Sequence, residues 1–375
     1  MFSSLVVKVL VFIFRQIRKQ KPIFFLPQKV SRVAVVCSGG VGDILLTTPA
    51  IRSIKESHPL CRVTALVHHK RIDMLKFNPH VDEILPLKKN PFYYVRIFQR
   101  LKAEFPNAVC LFHTNDIYIY CLASLVCPDS LIGFKSHNPF SFLLGKVIEF
   151  DDSLHVIENN LKMMSLIRAQ TENLAMTFSL DDDVKETADQ FFNHAKYTVG
   201  FQLGSGFVGR RWPISKYAEL GNRLIDRLDV HLILLVSPKE KPLADELNHD
   251  LKGQAVTAVT DLLTAGEVIS RLNVLVTPDT GPMHMAIALQ CPTVALSGPT
   301  NPKNFGSMNG GTTKHIKIHK TASNESYIKL SGDFTKLMNR ISSDEVFNAV
   351  LSILDVESLD LKPDPKILKE KPLSI

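Results

Sequence analysis

The sequence predicts an α/β protein with two doubly wound domains, each built on a parallel β-sheet, and three observations lead to this prediction. A chain of 375 residues is long enough for two domains, since domains commonly contain about 100–200 residues. From Arg32 onward, short β-branched runs alternate with longer helical stretches, which is typical of parallel sheets with right-handed crossovers. The same alternation begins again near residue 197, after a polar stretch at residues 179–186.

The composition places the chain among globular proteins of a reducing compartment. Hydrophobic residues make up 45% and charged residues 22% of the sequence, which excludes a globally disordered chain. The cysteines are widely spaced and form no Cys-x-x-Cys pair, so neither a zinc knuckle nor a disulfide framework is expected. They are Cys37, Cys61, Cys110, Cys121, Cys127 and Cys291. We interpret most of them as small apolar core residues.

The net charge of +7 is confined to the beginning of the chain. Seven of the 44 basic residues stand before the first acid, Asp43, and all seven lie within residues 1–32; the other 37 bases match the 37 acids. A pI near 9.0 that is spread over a domain would indicate a nucleic-acid-binding face. Because the excess is not spread, we expect no nucleic-acid partner.

The N-terminal segment combines an apolar run with basic residues. Residues 5–14 are apolar except for Lys8, which is too short a run for a membrane-spanning helix of about 20 residues. The charges follow the apolar run, unlike those of a secretory signal. On a helical wheel the bases lie opposite an apolar stripe: Lys8, Arg15 and Lys19 against Val6, Leu10, Ile13 and Ile17. Residues 1–31 are therefore predicted to bind an anionic membrane surface, and the alternative is a helix packed on the domain with solvated charges.

The first half of the chain is expected to begin with a strand, a glycine turn and a helix at residues 33–37, 38–42 and 43–57. Further strands are predicted at residues 62–67, 83–87 and 108–112, with helical stretches between them.

The second half is expected to contain five strands, at residues 198–203, 230–236, 255–259, 274–277 and 293–297. Helices are predicted between them and near the end, at residues 214–228, 240–250, 262–272, 282–289 and 342–355. Two doubly wound domains of this kind bind ligands at the carboxyl ends of their strands.

A first candidate site follows the first predicted strand. The turn Gly39-Gly-Val-Gly-Asp43 contains glycines that permit close ligand approach, and it leads into a helix whose N-terminus offers free N–H groups. It does not match Gly-x-Gly-x-x-Gly, so it is a weak dinucleotide fingerprint. Asp43 is interpreted either as a helix cap or as a general base.

A second candidate site is the loop Gly204-Ser-Gly-Phe-Val-Gly-Arg-Arg-Trp-Pro213. Arg210 and Arg211 follow flexible glycines, and guanidinium groups bind phosphate oxygens in a bidentate manner. The alternative is a solvated loop in which Trp212 is a hydrophobic plug.

A third candidate site is Thr277-Pro-Asp-Thr-Gly-Pro-Met-His284. Asp279 and Thr280 are natural N-caps, and Gly281 lets a diphosphate approach the helix N-terminus. His284 is interpreted either as a residue that faces the same ligand or as a structural histidine. The turn at residues 298–302 is expected to line the same site.

Two other motifs are interpreted as structural. Residues 181–183 match the Asp-x-Asp metal–nucleotide motif, but they lie in the predicted linker rather than at a strand end. His68 and His69 have no metal-ligand partner at a suitable spacing.

Taken together, the three loops resemble glycosyltransferase family 9, the lipopolysaccharide heptosyltransferases. The resemblance rests on Gly-Val-Gly-Asp and Thr-Thr-Pro-Ala within residues 40–50, on Arg-Trp-Pro at 211–213, and on Asp-Thr-Gly-Pro-Met-His at 279–284, followed by Gly-Pro-Thr at 298–300. It covers about residues 32–310, including 44–52 and 131–134. It implies a GT-B fold, in which two Rossmann-like domains face a central cleft. It also implies inverting sugar transfer from a nucleotide-activated heptose, usually ADP-heptose, without a required metal or other cofactor.

The resemblance also implies roles for individual residues. Asp43 matches the catalytic base, which takes the proton of an acceptor hydroxyl as that oxygen attacks the anomeric carbon. Arg210 stands where the family usually has lysine, a cation that stabilises the departing diphosphate. The residues implied to bind the donor nucleotide and its diphosphate are Ser205, Arg211, Glu240, Asp279, Thr280, Gly281 and His284, with Glu240 at the ribose. The residues of the acceptor-side loop are Gly40, Gly42 and Thr47.

The chain departs from the family before the Gly-Asp pair. Many members have a basic residue and paired serines there, whereas this chain has Cys37 and Gly39-Gly40. Acceptor specificity is expected in the loops at residues 88–100 and 113–120.

The predicted organisation follows from these assignments. The expected divisions are an N-terminal segment at 1–31, an acceptor-binding domain at 32–178, a linker and helix at 179–196, a nucleotide-sugar-binding domain at 197–341, and a C-terminal helix and tail at 342–375. The predicted partners are a nucleotide-sugar donor, an anionic lipid-linked acceptor of the lipopolysaccharide inner core or lipid A–Kdo type, and a membrane surface. The predicted location is the cytoplasmic face of the inner membrane of a Gram-negative-type bacterium.

Three alternative functions compete with this one. A related transferase could carry another sugar or act on another surface polysaccharide. A non-catalytic protein could bind sugar nucleotides on the same fold, although the presence of both Asp43 and Arg210 argues against it. A nicotinamide-dependent oxidoreductase would need Gly-x-Gly-x-x-Gly and an acid that ends the second strand, where this chain has Leu66-Val-His-His69.

Overall fold

The computed structural model describes residues 4–17, 28–88, 90–104, 106–114, 116–126, 130–136, 138–298, 313–320, 334–357 and 361–362. The chain divides into two compact units, Met1–Ser179 and Leu180–Ile375. Cys127, residues 18–27, residues 299–302 and the end of the chain after Lys362 lie outside the described residues.

The N-terminal unit is built on a six-stranded sheet. Its strands are β1 (Arg32–Cys37), β2 (Arg62–His68), β3 (Glu83–Leu87), β4 (Ala108–Phe112), β5 (Leu131–Phe134) and β6 (Lys146–Ile148). They pair in parallel in the order β3-β2-β1-β4-β5-β6. Its helices are α1 (Ser4–Ile17), α2 (Val41–Ser57), α3 (Pro91–Glu104), α4 (Ile117–Val126) and α5 (Val156–Met164).

The strand order assigns the helices of this unit to opposite faces of the sheet. The chain runs from β1 through α2 to β2 in one direction, and from β3 through α3 to β4 and through α4 to β5 in the other direction. Since parallel crossovers are right-handed, α3 and α4 share one face and α2 lies on the other. α3 and α4 pack on one alternating set of strand residues, which includes Ala34 and Val36 of β1.

α1 packs on the same side as α3 and α4. Its residues Leu10, Val11 and Phe14 lie against the core that those helices form with the sheet. The Phe14 ring meets the Phe140 ring edge-on, with the ring centroids 6.2 Å apart. Thus the helix predicted for the N-terminal segment is present and packs on the unit. No helix among the described residues is long and apolar enough to span a membrane.

The C-terminal unit contains a second parallel six-stranded sheet. Its strands are β7 (Tyr197–Gln202), β8 (Val230–Val236), β9 (Ala255–Val259), β10 (Val274–Pro278), β11 (Thr293–Ser297) and β12 (His315–His319), in the order β12-β11-β10-β7-β8-β9. Its helices are α6 (Val184–Asp189), α7 (Ile214–Arg227), α8 (Lys241–Asp250), α9 (Leu262–Ser270), α10 (Gly281–Ala288), α11 (Thr335–Asn339) and α12 (Ser343–Leu354).

The structure confirms the predicted α/β class with two parallel sheets and adds elements that the sequence pattern did not indicate. The strands β5, β6 and β12 were not predicted as strands, whereas α6 lies within the linker and helix predicted at residues 179–196. β5 and β6 contain only four and three residues, and β12 alternates polar and apolar residues at the edge of its sheet. Strands of three or four residues are too short for a periodic pattern to be recognised, which explains the omission of β5 and β6, whereas the five-residue alternation of β12 is a strand signal that the sequence analysis did not use.

Candidate active site

Asp43 lies at the start of α2, directly after the central strand β1. It is the third residue of the helix, and its Oδ2 atom accepts a hydrogen bond of 2.6 Å from the backbone N–H of Gly40. Within the part of the chain that the structure describes, no hydrogen bond involves the other carboxylate oxygen, Oδ1. Asp43 therefore caps the helix with one oxygen and keeps a second for another partner. Gly42, like Asp43, lies in the first turn of α2.

The shape of this loop depends on Gly39. A Cβ atom at Gly39 would lie 2.4 Å from Oδ2 of Asp43, a distance at which one of the two groups must move. A Cβ atom at Gly40 would lie 3.4 Å from the same oxygen, which is an ordinary contact. Arg71 donates a hydrogen bond to the carbonyl of Gly39 and holds the loop from the side of the 3-10 turn that follows β2. The loop thus fixes the position of the Asp43 carboxylate.

The threonines that follow Asp43 stabilise α2 rather than face solvent. Thr47 is fully buried, and its hydroxyl donates a hydrogen bond of 2.8 Å to the backbone carbonyl of Asp43. Pro49 has no N–H group for the carbonyl of Leu45, and the hydroxyl of Thr48 bonds that carbonyl instead, at 2.7 Å. Thr48 also accepts a hydrogen bond from the N–H group of Thr177. The Thr-Thr-Pro sequence therefore holds the helix that carries Asp43.

His113 is a residue of this region that the sequence analysis did not single out within the loop at 113–120. It follows Phe112 of β4, which is in register with Cys37 of β1, so it stands beside the loop that leads to Asp43. Its backbone is left-handed, with φ of 45°, a conformation that bulky residues rarely adopt and that is common at functional sites. The only sequence signal for His113 is its place at a strand end.

The surroundings of His113 favour its neutral form. Burial lowers the pKa of the imidazole, although the carboxylate of Asp43 and the side chain of Asn160 partly oppose that shift. His113 Nε2 and Asn160 Oδ1 are buried, and the two side chains interact with each other without a well-formed hydrogen bond. Asn160 is held in place because its Nδ2 donates to the carbonyl of Leu46 in α2, at 3.0 Å. A buried imidazole nitrogen that is incompletely satisfied beside a carboxylate is typical of a functional region.

Cys37 lies close to Asp43 but is chemically inert. It is almost completely buried, and burial raises the pKa of its thiol to about 12. The thiolate is therefore absent at neutral pH, so the side chain is a core group and not a nucleophile.

In the C-terminal unit, the loop after β7 brings two arginines to the carboxyl edge of the sheet. Nη1 of Arg210 lies 3.5 Å from the backbone carbonyl of Asp279, which follows β10. Nη2 of Arg211 donates to the carbonyl of Ser205, at 3.1 Å, and lies 3.9 Å from Oε1 of Glu240. The loops after β7, β8 and β10 therefore meet at this edge.

Glu240 is held from two sides. Its Oε2 accepts hydrogen bonds from the hydroxyl and the backbone N–H of Ser237, at 2.7 and 3.2 Å, while Oε1 faces Arg211. A Cβ atom at Gly204 would lie only 1.9 Å from Oε1 of Glu240, so the loop after β7 passes the carboxylate so closely that any side chain there would displace it. The side chain of Glu240 keeps 16% exposure. It is thus fixed in position and reachable from solvent.

The segment after β10 supplies a helix N-terminus. Thr280 is the N-cap of α10, Gly281 is its first residue, and the next residue, Pro282, has no N–H group to lose. Asp279 and His284 are buried, and Nε2 of His284 lies 3.9 Å from Oδ1 of Asp279. This arrangement leaves backbone N–H groups and the positive end of the helix dipole at the edge of the sheet.

Lys317 of β12 is a second residue that the sequence analysis did not identify. Its side chain is exposed on the edge strand; partial desolvation of the ammonium group lowers its pKa, and the charge of the Asp279 carboxylate partly opposes that shift. Lys317 is therefore a cation whose charge the carboxylate of Asp279 stabilises. Its strand was not predicted from the sequence, and that is why the residue was missed.

Three other residues of the predicted loops have structural positions. Trp212 is buried; it packs edge-on against Tyr217 and donates from its indole N–H to the carbonyl of Ile341, at 3.1 Å. Ser205 is buried, and its hydroxyl accepts from the N–H of Phe207. Asp182 of the Asp-x-Asp motif forms an exposed ion pair with Lys185. Among the described residues, no group of three or more His, Cys, Asp or Glu side chains is arranged to hold a metal ion.

Comparison with known proteins places the chain in a family. Residues 95–329 match the model for glycosyltransferase family 9, described as heptosyltransferase. The chain belongs to glycosyltransferase family 9. This family 9 glycosyltransferase is 33% identical over 295 residues to the lipooligosaccharide heptosyltransferase 2 of Haemophilus influenzae, and the match covers 72% of this chain and 84% of the relative.

Solved structures of the same family share the fold. A family 9 glycosyl transferase from Veillonella parvula superposes with a TM-score of 0.78 at 21% identity, covering 88% of this chain and 98% of that structure. The Escherichia coli heptosyltransferase WaaC with ADP-2-deoxy-2-fluoro heptose superposes with a TM-score of 0.65 at 16% identity, covering 86% and 99%. The likeness confirms the predicted fold class, two Rossmann-like α/β units of the GT-B type.

Proposed function

We propose that this glycosyltransferase transfers a heptose from ADP-heptose to the inner core of lipopolysaccharide, at a lipid A–Kdo type acceptor. The name of the Haemophilus relative, which is 33% identical, supports heptose as the sugar. The ADP-2-deoxy-2-fluoro heptose that accompanies Escherichia coli WaaC in its solved structure supports ADP as the nucleotide. The observation that carries the proposal is the fixed carboxylate of Asp43, which keeps Oδ1 for a partner at the carboxyl edge of the first sheet.

On the acceptor side, Asp43 acts as the general base. The acceptor oxygen forms a bond with the anomeric carbon of the heptose while its proton passes to Oδ1 of Asp43. The bond between the anomeric carbon and the diphosphate oxygen breaks, and the electron pair leaves with ADP. Attack opposite the leaving group inverts the anomeric centre. The hydrogen bond from Gly40 and the constraint at Gly39 support this role, because they hold the carboxylate in one geometry.

On the donor side, the proposal assigns the diphosphate to the loops after β7 and β10. The guanidinium of Arg210, the N–H groups at Gly281 and the N-terminus of α10 stabilise its developing charge, with Lys317 as a further cation. Glu240 accepts hydrogen bonds from the ribose hydroxyls, as the family resemblance implies. Fixed cations of this kind neutralise the leaving group without a metal ion, so we expect transfer to continue in excess EDTA.

The acceptor is proposed to be anionic and to be held in a membrane. Arg71, which donates to the carbonyl of Gly39, places a guanidinium at the loop that leads to the base. The basic N-terminal segment, residues 1–31, brings the enzyme to the cytoplasmic face of the inner membrane as a peripheral protein, with α1 already packed on the N-terminal unit.

The test is a transfer assay with the full chain, ADP-heptose and a lipid A–Kdo acceptor, read by release of ADP and by the mass of the product. UDP- and GDP-sugars are compared in the same assay. Formation of a heptosylated product supports the proposal. Product from another sugar nucleotide alone would identify a related transferase, and donor binding without any product would identify a non-catalytic sugar-nucleotide-binding protein.

The base is tested with Asp43→Asn, a change that keeps the shape of the side chain. We expect kcat to fall by about 10²–10⁴-fold while the affinity for ADP stays within about twofold. Asp183→Asn is the control, because Asp183 is an exposed aspartate of the Asp-x-Asp motif, and it is expected to leave kcat unchanged. Wild-type turnover in Asp43→Asn would remove the assigned base.

A further inference from the structure

Six of the eight large hydrophobic side chains that the described part of the N-terminal unit exposes lie on three helices. They are Val9, Phe12 and Ile13 of α1, Phe92 and Val95 of α3, and Leu125 of α4; the other two are Leu60, in the loop before β2, and Val147 of β6. Phe12 is 63% exposed and Phe92 is 87% exposed, so these rings meet solvent over most of their area. We call these six residues the three-helix surface. Exposed aromatic groups of this size, clustered on one side of a unit, indicate an interaction site.

α1 is apolar on two sides, unlike the single apolar stripe predicted from its sequence, because Leu10 of that stripe packs on the core and Ile13 is exposed. Leu10, Val11 and Phe14 face the core of the unit. Val9, Phe12 and Ile13 fall on the opposite side of the helix and are exposed, and Lys8 and Arg15 are exposed beside them. A helix that only had to pack on the unit would need one apolar side. The second apolar side therefore has another partner.

The helices on the two faces of the first sheet differ in whether they expose large hydrophobic side chains. α3 and α4 share one face, and α1 packs on the core that they form. On the other face, α2 and α5 pack against each other, and neither helix exposes a large hydrophobic side chain. In this unit the layer of α2 and α5 therefore has a polar outer surface, whereas the layer of α1, α3 and α4 has an apolar one. That asymmetry is specific to the layer and is not a general property of the chain.

The charges on the two layers differ in the same way. The helices α1, α3 and α4 carry five basic residues and one acid: Lys8, Arg15, Arg96, Arg100 and Lys102 against Glu104. α2 and α5 together carry three bases and three acids: Arg52, Lys55 and Lys162 against Asp43, Glu56 and Glu158. The apolar layer is thus also the basic one, although Arg100 is paired with Glu83.

We propose that the three-helix surface rests on the anionic lipid bilayer that carries the acceptor. The exposed aromatic and aliphatic side chains enter the interface, and the bases around them meet the anionic headgroups. This inference rests on the proposed function, because a lipid-linked acceptor gives the enzyme a reason to lie on a membrane. It extends the membrane contact from residues 1–31 to α3 and α4.

The test is co-sedimentation of the full chain with vesicles that contain no acceptor, either neutral phosphatidylcholine or phosphatidylcholine with phosphatidylglycerol. We expect binding to the anionic vesicles at low salt and weaker binding in 0.5 M NaCl, because salt screens the headgroup charge. The paired changes Phe12→Ser with Ile13→Ser, and Phe92→Ser with Val95→Ser, are each expected to weaken binding by about tenfold. All four side chains are exposed, so these variants are expected to fold.

Leu60→Ser is the matched control, since Leu60 is 88% exposed but lies in the loop between α2 and β2. It should bind vesicles as the wild type does, and all variants should keep the wild-type ADP affinity in a thermal-shift titration. Equal binding to neutral and anionic vesicles, or loss of binding in the α1 pair but not in the α3 pair, would overturn the proposal. A dimer in the absence of vesicles that the α3 changes dissociate would assign the surface to a second copy of the chain instead.

The outcomes also separate this inference from the proposed function. Binding to vesicles without heptose transfer would leave the surface in place and reject the transfer. Transfer to a soluble acceptor without vesicle binding would support the proposed function and reject the three-helix surface as a membrane contact.

Discussion

Two carboxylates, one in each unit, are each held next to a glycine that leaves no room for a methyl group. Gly39 faces Asp43 in the N-terminal unit, and Gly204 faces Glu240 in the C-terminal unit. In both cases the neighbouring glycine of the same loop, Gly40 or Gly206, is not tightly packed. Each loop therefore offers a pair of glycine-to-alanine substitutions that differ only in whether they displace a carboxylate.

The first pair tests the position of the base. Gly39→Ala places a Cβ atom 2.4 Å from the Asp43 carboxylate and must displace it, so we expect kcat to fall by about 10²-fold. Gly40→Ala makes only an ordinary contact at 3.4 Å and is expected to stay within about threefold of the wild type. The measurement is steady-state transfer at saturating donor. Equal losses in the two variants would show that the loop, and not the carboxylate position, limits the rate.

The second pair tests the position of Glu240. Gly204→Ala forces the carboxylate of Glu240 away from Ser237 and Arg211, so we expect ADP to bind about tenfold more weakly. At Gly206 a Cβ atom meets nothing within 4 Å, and Gly206→Ala should leave the affinity unchanged. Isothermal titration with ADP measures both. A wild-type Kd in Gly204→Ala would exclude Glu240 from the nucleotide site.

The residues that could be predicted are those that stand in contiguous motifs. Asp43, Arg210 and Asp279 could be proposed because each lies in a short loop whose sequence has a physical meaning, and their roles stay predictions. His113 and Lys317 could not be found, because their positions depend on strand pairing across the sheet, which brings Phe112 beside Cys37 and Lys317 beside Ala295. Thr47 was placed at the acceptor side from its motif, and the structure shows it fully buried against the backbone of Asp43.

Among the elements, α2 contains a proline in its interior and still runs without a break from Val41 to Ser57. The hydroxyl of Thr48 replaces the N–H group that Pro49 lacks, and the hydroxyl of Thr47 bonds the carbonyl of Asp43 one turn earlier. Buried carbonyls without a partner are costly, so these side chains stabilise the helix that positions the base. The hydroxyl of Thr48 and the ring of Pro49 are thus coupled.

A double-mutant cycle tests this coupling. Thr48→Val leaves the carbonyl of Leu45 and the N–H of Thr177 without their partner, so we expect the free energy of unfolding to fall by about 1–3 kcal/mol. In a Pro49→Ala background the new N–H group can bond the Leu45 carbonyl, so the same change should cost less. Urea denaturation measures all four proteins. Additive effects would show that Thr48 and Pro49 act independently.

The elements that could be predicted are long and periodic. The central strands and the helices between them follow from apolar runs and N-terminal capping signals. By contrast, β12 lies at a sheet edge with a His-x-Lys-x-His alternation, and its place follows only from pairing with β11. The packing of α1 on the unit also could not be established from its own sequence, because its partners Phe140 and Phe142 lie far along the chain.

For the whole molecule, three partly buried histidines connect stability to pH. Burial lowers the pKa values of His80, His113 and His315 below the ordinary value of 6.5. Below pH 6.5 the unfolded chain binds protons that the folded chain does not. The free energy of unfolding therefore decreases as the pH is lowered, until the folded pKa values are reached. The carboxylates of Asp82 and Glu345, whose pKa values are also lowered, titrate in a more acidic range.

We therefore expect the apparent urea midpoint to be lower at pH 5.5 than at pH 7.5. Replacing His80, His113 and His315 by asparagine should make this difference smaller, because the groups that protonate only after unfolding are gone. Asparagine tolerates the left-handed backbone at position 113. The exposed His194 serves as the control, and His194→Asn should leave the pH dependence as it is. An unchanged pH dependence in the triple variant would contradict the assignment.

The position of α1 also has a consequence for the synthesis of the chain. The helix is synthesised before the ring that its Phe14 packs against, because Phe140 follows 126 residues later. At roughly 5–20 residues per second, that interval lasts on the order of 6–25 s. Throughout this time the side of the helix that will pack on the core is exposed, together with the side that stays exposed in the folded unit. The nascent chain therefore presents a basic, apolar segment to ribosome-associated chaperones and to lipid before its first domain can close over it.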